Sequence, residues 1–334
     1  MTGPTAGAPV SLLLRAQAWL MLVLTTLFWG GNAVAGKLAV GEVSPMLLTW
    51  LRWTLAASLM LVVARHHLRR DWPVIRRHLP YLAMMGALGF TGFSGLLYSG
   101  LIRTTAINAT IIQAGMPMFI FVLNLVIFRT ASRPLQLVGY TTTLVGVAVA
   151  AGQGDLLTLA SLGINQGDLM IIAAAVIYAS YSVALRSKPQ LHWQSLLAAL
   201  LAAASLAALP LAIIEAQTTA FVWPDSRTAW TVVAYTTIFP SLLAQAFFIR
   251  ANEIIGSNAA GLFLNLIPVN GALLSVALLG EQFHLHHSVS LVLVLGGIAL
   301  AQRQRPASAG RKAGTTDPRR RSPHDRARSF PPRR

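Results

Sequence analysis

Residues 18–40 read AWLMLVLTTLFWGGNAVAGKLAV, an apolar run of 23 residues whose only charged side chain is Lys37. A helix needs about 20 predominantly apolar residues to cross the hydrocarbon core of a bilayer. Runs of this kind recur along the chain, at roughly 18–40, 45–64, 80–101, 106–128, 135–152, 168–186, 195–214, 228–249, 258–280 and 288–301. The sequence therefore predicts an all-α polytopic membrane protein with ten transmembrane helices.

The composition excludes a soluble protein. Of the 334 residues, 55% are hydrophobic and only 11% are charged, whereas soluble domains carry about 25% charged residues. So few charges cannot cover the surface of a globule of this size. Cysteine is absent, which excludes disulfide frameworks, thiolate metal sites and cysteine nucleophiles.

The positive charge orients the predicted helices. The net charge of +16 would by itself suggest nucleic acid, but residues 302–334 hold eleven basic and two acidic residues, and residues 65–79 hold five and one. Short loops rich in Lys and Arg stay cytoplasmic. We therefore expect a multi-pass protein of the cell membrane with both termini in the cytoplasm.

The basic tail, residues 302–334, is rich in proline and arginine and cannot bury a core, so we expect it to be disordered. It could be a solvated anchor for the last helix, or it could attract anionic lipid headgroups at about 1 kcal/mol per basic residue near the surface. No binding to nucleic acid is expected, because the tail has one aromatic residue, Phe330, and no folded reading element.

The chain contains an internal repeat. A shift of about 150 residues places residues 28–32 over 177–181 and Asn108 over Asn258, and one further insertion places Pro117 over Pro268. Each half then holds five predicted helices, and because five is odd, the second half enters the membrane in the opposite sense. Inverted repeats around a midplane site recur in secondary transporters.

With these landmarks the sequence resembles the drug/metabolite transporter superfamily, specifically its EamA-type members, over about residues 18–301. The residues that carry the resemblance are Phe28-Trp29-Gly30-Gly31-Asn32 with Lys37, Pro45 with Leu51-Arg52, Asn108-Ala109 before Pro117, Gly256-Ser257-Asn258-Ala259 before Pro268, Leu279-Gly280-Glu281, and Gly296-Gly297. The family usually has an acidic residue after the fourth helix, where this chain reads Phe128-Arg129-Thr130. Glu281 therefore has no counterpart in the first half.

The resemblance implies two inverted five-helix repeats that move a small metabolite, amino acid or drug-like compound across the bilayer by alternating access, with export as the expected direction. The expected organisation is a cytoplasmic N-terminus (1–17), a first five-helix repeat (18–152), an external loop (153–167), a second repeat (168–301) and the basic tail (302–334). The expected partners are the lipid bilayer and a small-molecule substrate.

Polar and aromatic residues inside the predicted helices are candidates for a substrate cavity, because such groups usually face the bundle interior or water. These candidates are Trp29, Asn32, Arg52, Gln113, Tyr178, Tyr181, Gln245, Asn265 and Asn270. Trp29 and Asn32 could equally be a core aromatic and a capping amide. Arg52 could extend to the interface, pair with a carbonyl, or attract an anionic group of the substrate.

Three prolines are candidate hinges: Pro117, Pro240 and Pro268. Proline removes one backbone hydrogen bond of a helix, so each could be a pivot, or a static kink that a neighbouring amide side chain repairs. Glu281 could cap or pair with a loop, or it could carry a coupled proton.

The alternatives are an intramembrane enzyme and a membrane sensor or channel. Gly152-Gln153-Gly154-Asp155 is similar to the Gly-x-Gly-Asp of intramembrane aspartyl proteases, but that chemistry needs two aspartates, and we expect no second aspartate inside a predicted helix. No zinc-protease, hydrolase or phosphate-loop motif is present in the sequence. We expect no enzymatic activity, no cofactor and no metal site.

Overall fold

The computed structural model describes residues 12–129, 134–155, 165–218, 220–256, 260 and 263–302, and all regular structure in this part is helical. The helices are α1 (Leu12–Leu38), α2 (Pro45–Val63), α3 (Arg65–Arg77), α4 (Leu79–Leu101), α5 (Ala106–Phe128), α6 (Pro134–Ala151), α7 (Gln166–Ser187), α8 (Trp193–Glu215), α9 (Arg227–Ile255), α10 (Leu266–Leu279) and α11 (Leu285–Gln302). The basic tail beyond residue 302 and most of the predicted external loop lie outside the described residues.

Nine of the described helices are long and apolar enough to cross a membrane; the other two are α3 and α10. The run predicted at 258–280 begins among residues outside the described part, so α10 is shorter than the predicted span. The structure therefore supports an all-helical membrane fold with nine candidate membrane helices in the described chain.

Helix ends are fixed by tertiary contacts that the apolar pattern does not contain. The described part of α1 reaches back to Leu12, beyond the run predicted at 18–40, and the intervening residues include good helix formers. At the other end of α1, Lys37 Nζ donates to the carbonyl oxygens of Leu101 at 2.9 Å and Thr104 at 2.7 Å. This cation satisfies carbonyls at the C-terminus of α4, where a positive charge is favourable.

Several helices depart from α-helical geometry within their length. The segments Ala87–Gly92 of α4, Phe239–Leu243 of α9 and Ser275–Leu279 of α10 are π-helical. The helix α5 is interrupted at Gly115, which has φ −74° and ψ −5°, and resumes at Met116. Such irregularities weaken the regular hydrogen-bond ladder and often mark functional positions.

Glycines bring the backbones of some helices into direct contact. A Cβ on Gly30 of α1 would lie 2.7 Å from the amide nitrogen of Gly271 in α10. A Cβ on Gly139 of α6 would lie 2.6 Å from the carbonyl oxygen of Gly297 in α11. Close approach through small residues is a usual way for membrane helices to associate, so these positions fix how α1 packs on α10 and α6 on α11.

Candidate functional site

A buried polar cluster lies around Arg52 of α2, and we call Asn32, Arg52, Tyr98 and Ser241 the Arg52 cluster. Arg52 is only 5% exposed. Its Nε donates to Ser241 Oγ at 2.7 Å, and its Nη1 donates to Asn32 Oδ1 at 3.1 Å and to the Tyr98 hydroxyl. The Tyr98 hydroxyl also donates to Asn32 Oδ1 at 3.0 Å. Four helices, α1, α2, α4 and α9, contribute one residue each.

The π-helical segment of α9 explains the position of Ser241. Pro240 has no N–H, so it leaves the carbonyl of Thr236, four residues earlier, without its helical donor. The Ser241 hydroxyl donates to that carbonyl at 2.7 Å. Its hydrogen is therefore engaged within α9, and its oxygen remains free to accept from Arg52. The backbone at this proline is repaired by a hydroxyl group rather than by an amide side chain.

The positive charge of Arg52 has no anionic partner in the described chain. The ion pair found among the described residues joins Arg250 to Glu253 at 2.8 Å, with both side chains more than half exposed. The guanidinium carbon of Arg52 lies 4.2 Å from the centre of the Trp53 ring, a cation–π contact. Nη2 of Arg52 has no hydrogen-bond acceptor among the described residues. The cluster is thus a buried cation held by neutral oxygens and one aromatic face.

A small cavity of about 240 Å³ lies next to this cluster. It is bounded by the end of α1, the segment that leads into α2, and residues 220–222. Tyr98 lines the cavity and at the same time binds Arg52. Leu48, which also lines it, precedes Arg52 by about one helical turn. Tyr98 therefore lies between the cavity and the guanidinium group.

Aromatic side chains connect the predicted tyrosines of α7 to Arg52. The rings of Tyr178 and Tyr181 are 5.6 Å apart, and Tyr181 packs edge-to-face on Phe90 at 5.5 Å. Phe90 in turn packs against Trp53 at 5.1 Å, and Trp53 lies under the guanidinium group. The structure thus brings both tyrosines into the surroundings of the Arg52 cluster.

Trp29 reaches the same region from α1. Its Nε1 donates to the carbonyl oxygen of Pro240 at 3.1 Å, and its ring packs on Phe248 at 5.5 Å. Trp29 and Asn32 therefore both contact α9 or the cluster that α9 completes.

The remaining predicted amides lie away from the Arg52 cluster. Gln113 donates to the carbonyl of Ala109 in its own helix at 3.0 Å. Asn270 donates to Thr26 Oγ1 at 3.0 Å and so links α10 to α1. Gln245 and Asn265 are half-buried, and neither amide has a hydrogen-bond partner in the described part of the chain.

The predicted hinge prolines each lie at a helix irregularity. Pro117 follows the interruption of α5 at Gly115, and Pro240 lies inside the π-helical segment of α9. Pro268 is buried near the start of α10, just after a turn at residues 264–265.

The expectation of no further aspartate inside a helix was wrong. Asp168 is completely buried in the first turn of α7. Its carboxylate accepts from Thr104 Oγ1 at 2.5 Å and from Asn108 Nδ2 at 3.5 Å. The apolar run predicted at 168–186 begins at this residue, so Asp168 stands at the edge of the predicted helix. A carboxylate in the first turn is favourable because the helix dipole is positive there.

Tyr98 and Ser241 are site residues that the sequence pattern did not reveal. Tyr98 stands within the apolar run Leu96-Leu97-Tyr98, and Ser241 follows Pro240, which the sequence offered as a hinge or a static kink. Their contacts with Arg52 span 46 and 189 residues of sequence, and no local pattern predicts such distant pairs.

Glu281 caps a helix of the first half of the chain. Its Oε1 accepts from the backbone N–H of Ala106 at 2.8 Å and its Oε2 from that of Ile107 at 3.0 Å. Of the alternatives open for this residue, the structure shows the capping contact.

Comparison with known proteins places the chain in a family. The sequence model of the EamA-like transporter family matches residues 17–152 and again residues 165–302. The chain is 26% identical over 285 residues to the uncharacterized transporter YyaM of Bacillus subtilis, covering 85% of this chain and 92% of that protein. It is also 26% identical over 293 residues to an uncharacterized transporter of Archaeoglobus fulgidus, covering 86% of this chain and 98% of that protein.

A solved structure has a similar fold. A protein of 23% sequence identity matches 86% of this chain and 98% of its own length with a TM-score of 0.58. Together with the nine long apolar helices of the described chain, these matches show that the chain is a multi-pass membrane protein that belongs to the EamA-like transporter family.

Proposed function

We propose that the protein is a secondary transporter that exports a small metabolite, amino acid or drug-like compound across the cytoplasmic membrane by alternating access. The observation that carries the proposal is the Arg52 cluster, a buried polar site to which helices of both halves of the chain contribute. Polar groups inside a membrane bundle usually mark a solute pathway. A site shared by the two halves can open to either side as one half moves against the other.

Two inverted five-helix repeats, residues 18–152 and 168–301, are the proposed architecture. The family model matches the chain twice, once in each proposed repeat. The π-helical segments Ala87–Gly92 and Phe239–Leu243 are separated by about the same shift of 150 residues that aligns the two halves of the sequence. These correspondences support equivalent roles for α4 and α9.

The proposed substrate cavity centres on the Arg52 cluster and the aromatic residues next to it. Asn32 and Arg52 would contact the solute directly, with Trp29, Tyr178 and Tyr181 around them. The other polar candidates, more distant in this structure, are Gln113, Gln245, Asn265 and Asn270. The proposed hinges are Pro117, Pro240 and Pro268, since each lies at a helix irregularity where bending meets less resistance.

The proposed orientation places both termini in the cytoplasm. The helix α3 carries five arginines and buries only Ile75, as expected of a segment at the cytoplasmic surface. On the same side, the basic tail would contact anionic lipid headgroups.

The test of the transport proposal is counterflow in proteoliposomes that contain the purified protein. The solutes are a panel of amino acids, other metabolites and amphipathic drugs, with and without a pH gradient. A transporter accumulates labelled solute against a preloaded unlabelled pool, whereas a channel only equilibrates it. Absence of counterflow across the panel, with folded protein, would argue against transport.

Two variants test the cavity. Asn32→Ala and Tyr181→Ala should reduce counterflow without reducing the amount of protein in the membrane. Asn252→Ala is the matched control, because among the described residues its amide donates to the Phe248 carbonyl of its own helix, at 2.7 Å. Unchanged counterflow in both cavity variants would remove Asn32 and Tyr181 from the site.

A further inference from the structure

We infer that Arg52 binds a carboxylate group of the solute, so that the protein selects small organic carboxylates, amino acids among them. The inference rests on the proposed transport function and names the chemical class that the site accepts.

The first step is the charge balance of the site. An arginine side chain stays protonated in proteins. The three side chains that accept from Arg52 belong to Asn32, Tyr98 and Ser241, and all three are neutral. No carboxylate of the described chain lies within 4.0 Å of its guanidinium nitrogens. A buried charge is unfavourable unless it is paired, so the site is complementary to an anion.

The second step is the geometry of the guanidinium group. Nε and Nη1 donate to Ser241, Asn32 and Tyr98. Nη2 has no acceptor among the described residues, although the Arg52 side chain is only 5% exposed. A carboxylate can accept from Nη2 directly. If it also displaces the Ser241 hydroxyl from Nε, it accepts two parallel N–H groups, which is the strong two-pronged geometry of arginine–carboxylate pairs.

The third step concerns the body of the solute. Trp53 holds the guanidinium plane from one side at 4.2 Å. Phe90 and Tyr181 continue the aromatic cluster from Trp53. Trp53 and Phe90 are buried in this structure, and a helix movement that uncovers them would offer contact to an apolar or aromatic carbon skeleton. The neighbouring cavity, which Tyr98 separates from the guanidinium group, has a volume of about 240 Å³, below the usual range of ligand pockets of about 300–1,000 Å³. The site therefore favours a small carboxylate with an apolar body.

The test compares matched carboxylates and amides. Leucine is paired with leucinamide, and benzoate with benzamide, as competitors in counterflow and as ligands in thermal-shift measurements on the purified, full-length protein. A phosphate arm uses phenyl phosphate. We expect the carboxylate of at least one pair to bind about tenfold or more tightly than its amide. Equal competition by carboxylate and amide in both pairs, or preference for the phosphate over every carboxylate, would overturn the inference.

Variants of Arg52 locate the effect. Arg52→Gln should abolish the preference for the carboxylate, and Arg52→Lys, which keeps the charge but loses the planar fork, should retain part of it. Arg103→Gln is the control, because Arg103 is exposed. If Arg52→Gln does not fold, the wild-type pairs and Arg52→Lys still decide. A preference that persists in folded Arg52→Gln would exclude Arg52 as the anion site.

The two proposals fail in different ways. Counterflow of neutral or cationic solutes without any preference for a carboxylate would leave the transport function intact and overturn the inference. Binding of carboxylates in thermal-shift measurements without counterflow of any solute would overturn transport and leave the anion site.

Discussion

Removal of the Glu281 carboxylate should destabilise the start of α5 and leave transport coupling unchanged. The backbone N–H groups of Ala106 and Ile107 lie in the first turn of α5, where a helix provides no internal acceptor. Glu281 accepts both, at 2.8 Å and 3.0 Å. Gly280, at φ 66°, turns the chain at the end of α10 and so directs Glu281 toward α5.

The magnitude follows from the two contacts. A hydrogen bond to a charged group contributes about 1.5–3 kcal/mol, and an anion at a helix N-terminus adds about 0.3–1 kcal/mol. Because the two bonds share one carboxylate and are not additive, Glu281→Ala should lower the free energy of unfolding by about 2–4 kcal/mol. Glu281→Gln keeps one acceptor and loses the charge, so its loss should be about 1–2 kcal/mol.

The assay is unfolding by SDS titration in mixed micelles, followed by counterflow on the same preparations. Glu253→Gln is the control, because the exposed ion pair of Glu253 with Arg250 is worth about 0–1 kcal/mol. If the two glutamine variants unfold alike, the capping argument fails. If Glu281→Gln is stable but transport loses its response to a pH gradient, Glu281 carries a proton and is not simply a cap.

Three further outcomes are expected. Gly30→Ala should lower the monodisperse fraction in size-exclusion chromatography, because the added Cβ would meet the backbone of α10. Gly296→Ala is the control: nothing lies within 4 Å of its Cβ, so its effect on the free energy of unfolding should be neutral or stabilising by up to about 1 kcal/mol. Ser195, the backbone N–H of His192 at 3.0 Å and Arg70 hold the pKa of Asp71 below its ordinary value. Wild type should therefore melt higher than Asp71→Asn above about pH 4, and the difference should disappear as the pH falls through the folded-state pKa. A reporter fused after Gln217 should be external and one on the C-terminal tail cytoplasmic, and an external tail would refute the proposed orientation.

The positions of the helices could be predicted from the sequence because the bilayer sets the length of each apolar run. The run predicted at 106–128 agrees with α5, and that predicted at 80–101 differs from α4 by one residue. The π-helical segments could not be predicted, since the amino-acid composition of a helix does not indicate whether its backbone hydrogen bonds follow the α or the π pattern. The described part of α1 reaches six residues further toward the N-terminus than the run predicted at 18–40, and these residues are exposed.

The site was only partly predictable for a related reason. Asn32 and Arg52 are polar residues in apolar runs, and their cost in lipid singled them out. The aromatic ring of Tyr98 can face either lipid or protein, so the sequence did not distinguish Tyr98 from an ordinary lipid-facing or core residue. Asp168 was misplaced because a carboxylate at the edge of an apolar run is usually solvated, and only the contacts with Thr104 and Asn108 show that this one is buried.

The distribution of carboxylates explains why Arg52 is left for a solute. Glu215 accepts the N–H groups of the first turn of α2, Glu281 those of α5, and Asp71 the N–H of His192 at the start of α8. These acids therefore neutralise the positive ends of helices.

In the described chain the guanidinium group of Arg52, inside α2, is held by neutral oxygens and the Trp53 ring. Such oxygens stabilise the guanidinium group without a solute, and they compete with a bound carboxylate. An arginine paired with an internal acid would bind no anion, whereas an arginine with no internal acceptor would not release a bound anion. On the proposed mechanism, this intermediate strength is what lets one residue bind the solute on one side of the membrane and release it on the other. Ser241→Asp, which would supply an internal anion next to Nε, should therefore suppress carboxylate binding in the thermal-shift assay, and unaltered binding in the folded variant would refute this account of Arg52.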